Sequence, residues 1–228
     1  MSRPSAIDPI TLEILWTRLI GTVDEAAATF VRTSFSTLVR EANDYAVVLT
    51  DRRGRNIAQS SQSIPSFIST MPVTIRAFIE EFGLDGMRPG DAFVTNDPWI
   101  GTGHLNDMSL ATPIFRDGRV IGFAGVVSHM PDIGGRLRNP ANRELFEEGL
   151  QVPPIRLLEA GRQNETLVGI IRANVRVPEE TMGDIWAQLS CCETLAERLN
   201  ALIAETGIDF DAFSDEVKQK TIETIKQD

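Results

Sequence analysis

Two apolar runs, Ser109-Leu-Ala-Thr-Pro-Ile-Phe115 and Arg119-Val-Ile-Gly-Phe-Ala-Gly-Val-Val127, are separated by little more than Asp117-Gly118. An Asp-Gly pair accepts the positive φ angles of a tight two-residue turn, so this segment must fold as an antiparallel hairpin. In such a hairpin Arg116 pairs with Arg119. Extending that register places His129 opposite Asn106 and makes His104 its diagonal neighbour on the same face. Pro113 implies that the first strand is an edge or carries a bulge.

The hairpin thus brings together the chain's only 2 histidines. Each is followed three residues later by aspartate, in His104-Leu-Asn-Asp107 and His129-Met-Pro-Asp132. Imidazole with carboxylate is the usual ligand set of a divalent transition metal. The plainer alternative is two histidines hydrogen-bonded to nearby turns. Asp107 points away from His129 in an ideal strand, so its use as a ligand needs 104–107 to be a loop, and Gly101-Thr-Gly103 favours one.

With 228 residues, 42% of them hydrophobic, the chain can bury a core as one or at most two domains. A net charge of −10 argues against nucleic acid as a partner, because phosphate binding wants a basic face. The first residues carry no apolar leader, and no apolar run is long enough for a membrane span. Cys191 and Cys192 are adjacent in a helical pattern and point in different directions. The expectation is a pair of reduced thiols filling a core gap in a cytoplasmic protein.

Asp8-Pro9 opens a helix whose buried stripe is Leu12, Leu15, Leu19, Val23, Ala26 and Phe30. Tyr45–Leu49 reads as a strand, turned at 51–54, with Asn56–Gln59 as its return. A helix is expected from Pro72 to Phe82, stopped by Gly83. The strand Ala92–Thr95 runs into Asn96-Asp97-Pro98. Asp132-Ile-Gly-Gly135, Asn139-Pro140 and Pro153-Pro154 mark a long irregular stretch, which in a compact domain is functional or mobile. Helices follow over Glu165–Asn174, Pro178–Glu205 (ended by Gly207) and Phe213–Lys226. The expected class is α+β: an antiparallel-rich mixed sheet with flanking helices and a helical C-terminal part. Residues 9–160 form the mixed α/β, metal-site part and residues 161–228 the helical part.

Several motifs occur in order along the chain: Asp8-Pro-Ile-Thr-Leu-Glu13, Arg40-Glu-Ala-Asn-Asp-Tyr45, Arg88-Pro-Gly-Asp91, Thr95-Asn-Asp-Pro98, Gly101-Thr-Gly-His104 with Asp107, Ser128-His129 with Asp132-Ile-Gly-Gly135, and Glu147-Glu-Gly-Leu150 with Pro153-Pro154. Together they resemble the N-terminal part of the hydantoinase B/oxoprolinase family. The resemblance implies a metal centre on His104, Asp107 and His129. It also implies an upstream acidic ligand, Glu41 with Asp44 in reserve, against the alternative of an ordinary salt bridge from Glu41 to an arginine. Asp132 is expected to orient an imidazole or shape the loop, and Asn96 and Asp97 to bind substrate or merely to form a turn. Manganese is the first choice of metal and zinc the second.

By the same resemblance, ATP is handled by an A-type partner subunit, which activates a small-molecule substrate. The chain has no Gly-x-x-x-x-Gly-Lys-Ser/Thr loop of its own, which agrees with that division of labour. The expected function is the metal-binding B-type subunit of an ATP-dependent cyclic-amide hydrolase of the hydantoinase/5-oxoprolinase type. The alternatives are a subunit of an acetone/acetophenone carboxylase-like enzyme and a truncated, non-catalytic assembly module. Two departures stand out. Relatives are longer, so the missing C-terminal part of a B-type chain is an expected partner, and Met130 stands where many relatives carry histidine.

Overall fold

The Asp8 carboxylate accepts hydrogen bonds from the Ile10 and Thr11 N–H groups, 3.1 Å each, and so caps helix α1 (Pro9–Thr33). All six residues of the expected stripe are buried. The computed structural model describes residues 7–136 and 140–225. The readings of the first six residues, of Asn139 and of Lys226 lie outside that range.

A short helix α2 (Thr37–Arg40) leads to strands β1 (Tyr45–Asp51) and β2 (Asn56–Gln59). Helix α3 runs from Pro65 to Phe82, seven residues earlier than the sequence suggests. Pro65 takes the first turn, where a missing N–H costs nothing. Pro72 sits inside the helix, buried with Phe67, Met71, Ile75 and Phe78, so burial of this stripe overrides the proline. Strands β3 (Ala92–Thr95), β4 (Asp107–Arg116) and β5 (Arg119–His129) follow, then β6 (Ile155–Glu159) and β7 (Arg162–Gln163), which periodicity does not reveal. Helices α4 (Glu165–Asn174), α5 (Pro178–Thr206, closed by left-handed Gly207) and α6 (Phe210–Ile225) complete the α+β order.

The seven strands form one sheet in the order β2-β1-β5-β4-β3-β6-β7, antiparallel at every pairing described. One face is covered by α1 and α5, through Val47, Leu49, Leu110, Ala124 and Val126. The opposite face is covered by α3, through Ala46, Val48, Ala111, Phe123 and Val127. The alternation along β1 and β5 is the period of two that a strand imposes. No helix among the described residues is long and apolar enough to cross a membrane.

Neither reading of Pro113 holds as expected: its strand is not an edge, and the extra residue of the hairpin's bulge lies on the partner strand β5. Strand β4 is the central strand, but β3 pairs only with Ser109–Ala111, so Pro113 is paired on the β5 side alone. One residue further on, the ladder slips: Phe115 pairs with Val120 but Ile114 pairs with Gly122, leaving Ile121 extra. The slip corrects the expected register. His129 stands opposite Asp107, not Asn106.

A candidate metal centre at the open end of the hairpin

Because of that single bulge, Asp107 and His129 share the face of the sheet on which Ala111, Phe123 and Val127 lie. His129 Nδ1 stands 2.9 Å from Asp107 Oδ1. His104 approaches from the bend and turn at 101–106, and its Nε2 is 3.0 Å from Asp107 Oδ2. The imidazole centroids are 5.2 Å apart. One donor atom from each of the three residues lies within 4.8 Å of the others. Asp107 and His129 are buried, whereas the His104 side chain is 39% exposed, so the cluster opens to solvent on one side.

Burial works to raise the Asp107 pKa, but contacts with His104, His129 and Thr102 outweigh it and hold the carboxyl at about 2. Asp107 Oδ2 nevertheless has no aligned hydrogen-bond donor, although His104 Nε2 is near. A buried, ionised carboxylate with one imidazole at each oxygen, and no aligned hydrogen bond at Oδ2, is an environment that a cation would complete. The donor set, two nitrogens and one carboxylate with an open side, fits a divalent transition metal.

The His104 turn is clamped at Leu105. The Leu105 N–H donates to Glu148 Oε2 at 3.0 Å, and its carbonyl accepts from Asn96 Nδ2 at 2.7 Å. The Asn106 N–H lies 3.3 Å from His104 Nδ1, and Met130 N–H donates to the Asn106 carbonyl at 2.8 Å. Sequence reasoning misses Glu148 as an individual residue; its one signal is its place in the Glu147-Glu-Gly motif. On the α3 side, Thr74 Oγ1 donates to the Ile100 carbonyl at 2.6 Å and secures the preceding loop.

Asn96 is buried and all its amide bonds go to backbone: Leu105, Leu150 (2.8 Å) and the Val152 N–H (2.6 Å). It ties three loops together beside the site. Asp97 Oδ1 accepts from the Trp99 N–H at 2.9 Å, which is the turn reading of that residue. Asp132, buried, accepts from Gly134 N–H at 3.0 Å, from Arg176 Nη1 at 2.7 Å and from the Arg176 N–H. These bonds shape the loop and join it to the α4–α5 connection. Gly135 (φ +54) packs so tightly that a Cβ would meet the Glu148 backbone at 2.4 Å.

Glu41 is exposed at the end of α2 and stands outside the three-residue cluster. Asp44 is closer to it along the sheet: its carbonyl accepts the His129 N–H at 3.1 Å. Both thiols are free and buried, and burial raises both their pKa values, which removes them from nucleophilic chemistry.

A family model described as hydantoinase B/oxoprolinase matches residues 8–227. The B-type component of a putative D-/L-hydantoinase from a Pseudomonas species is 30% identical over 89% of the chain, which covers 35% of that protein. The crystal structure of the ATP-dependent caprolactamase from Pseudomonas jessenii superposes with a TM-score of 0.84 and 29% identity, covering 93% of this chain and 37% of that one. Acetone carboxylase, in a nucleotide-free structure, gives the same TM-score of 0.84 at 24% identity, over 92% of this chain and 28% of that one; this likeness is one of fold. The chain thus spans little more than a third of the length of some curated relatives, 36% and 35% for two of them, and only 17% of a 5-oxoprolinase from Arabidopsis thaliana.

Proposed function

The chain belongs to the hydantoinase B/oxoprolinase family, and from that premise we propose that it is the metal-binding B-type part of an ATP-dependent cyclic-amide hydrolase. The convergence of His104, Asp107 and His129 around a buried carboxylate, with no aligned hydrogen bond at its Oδ2, carries this reading. His104 Nε2, Asp107 Oδ2 and a ring nitrogen of His129 would hold the ion, with manganese the first choice and zinc the second. A further carboxylate would come from residues 41–44, where Glu41 needs to swing inward and Asp44 already lies beside His129. When bound, the ion would supply Lewis-acid stabilisation of charge on an amide oxygen. The exposed side of His104 leaves room for a substrate to approach.

The chain's own residues would fix that geometry. Asp107 stays ionised to low pH, so it is an acceptor across the physiological range. Asn96 and Glu148 hold Leu105, and through it the turn that carries His104. Binding and hydrolysis of ATP are assigned to an A-type partner, in keeping with relatives that are each named as one component of a hydantoinase or a caprolactamase. Ring-opening of a lactam or imide is favoured over ketone carboxylation because the caprolactamase relationship extends to sequence, whereas that to the carboxylase is one of fold.

The test is reconstitution with the A-type protein from the same source. ATP-dependent ring-opening of hydantoin, 5-oxoproline or caprolactam is expected, and Asp107→Asn should abolish it. Turnover that persists in Asp107→Asn contradicts the assignment.

A further inference from the structure

Behind the proposed centre, on the other face of the sheet, lies Gln188 of α5, which is fully buried. Its Nε2 donates to the Met108 carbonyl at 2.8 Å and to Ser128 Oγ at 3.0 Å. Met108 and Ser128 are themselves a cross-strand pair, the pair immediately inward of Asp107 and His129. Because side chains alternate along a strand, Ser128 faces α5 while its neighbour His129 faces the cluster. One amide group therefore bridges the two strand ends that present two of the three donors.

The oxygen of the same amide, Gln188 Oε1, is buried and has no hydrogen-bond partner. Methionine would fill a similar volume without that penalty, so what the amide adds is the bridge and not the packing. One turn earlier on α5, Asp184 accepts from the Phe35 and Ser36 N–H groups at 2.7 and 3.2 Å. The helix thus also fixes the segment leading toward Asp44, whose carbonyl holds His129.

We infer that Gln188 is a positioning residue for the metal centre, setting the separation of Asp107 and His129 by clamping Met108 to Ser128 from the far side of the sheet. The inference rests on the metal reading above.

It is tested with Co2+ alone, titrated into the purified chain, whose visible bands report both affinity and coordination geometry. Gln188→Met should bind Co2+ about tenfold more weakly and with altered bands, as expected when support behind metal ligands is lost. Ser128→Ala, which removes one of the two acceptors, should move the same readouts in the same direction by less. Leu199→Ala is buried on the same helix, roughly three turns further on. It should lower the Tm yet bind Co2+ as the wild type does. Wild-type affinity and spectrum in Gln188→Met overturn the positioning role and leave the metal centre standing. Equal weakening in Leu199→Ala overturns it too, because the effect is then general destabilisation. A wild type that takes up no Co2+ overturns both readings.

Discussion

Asp107 Oδ1 and His129 Nδ1 stand 2.9 Å apart because the two residues are direct partners across the β4–β5 ladder. The partnership has a consequence for acid stability. A carboxyl whose folded pKa, about 2, lies below its ordinary 3.8 stabilises the fold fully above 3.8 and ceases to do so as pH falls through 2. Urea denaturation of the metal-free protein should show about 2 kcal/mol lost over that window. In Asp107→Asn that loss should be absent, and the deficit already present at neutral pH. An unchanged acid transition in the variant contradicts the perturbed carboxyl.

The bulge that creates this pairing sits against β1. A Cβ on Gly122 would meet the Thr50 carbonyl oxygen at 2.4 Å. Gly122→Ala should therefore push β1 from β5 and cost about 2–3 kcal/mol, the range of overpacking in a tight interior. Chemical denaturation reads this directly; stability within about 0.5 kcal/mol of wild type would show that the strands have slack there.

Asp132 and Arg176 should behave as one unit. Their bonds join the loop after β5 to the α4–α5 connection, so Asp132→Ala and Arg176→Ala should each cost about 1–3 kcal/mol. The double variant should cost less than the sum, with a coupling of about 1 kcal/mol. Simple additivity contradicts a shared role. Proteolytic nicking within 132–150 should rise alike in both single variants.

Cys191 and Cys192 should resist alkylation in the native state at pH 8, because burial raises both pKa values and keeps reagent out. Labelling should track global unfolding as urea is added. Rapid labelling without denaturant contradicts their place in the core.

What is legible in the sequence is local. The Asp8 cap, the α1 stripe, the Asp117-Gly118 turn and the Gly207 stop each depend on residues within a turn or two of one another. What escapes depends on distant neighbours. The ladder slips at Ile121 of β5, beside the close approach of β1 to Gly122, whereas Pro113 pointed to the other strand. Under the turn register alone Asp107 would face away, so the three-residue site is expected despite that register, not because of it. Pro72 reads as a helix start because burial of Phe67 and Met71 against the sheet is not visible locally. The partners of Asn96 and Asp132 lie 54 and 44 residues away at Leu150 and Arg176, so their loop-tying bonds have no sequence signature.

The proposed function needs one divalent ion held by His104, Asp107 and His129. Elemental analysis of the purified chain, wild type beside His104→Ala and His129→Ala, tests it most directly. About one manganese or zinc per wild-type chain is expected, and a small fraction of that in either variant. Equal and negligible metal in all three proteins would contradict it.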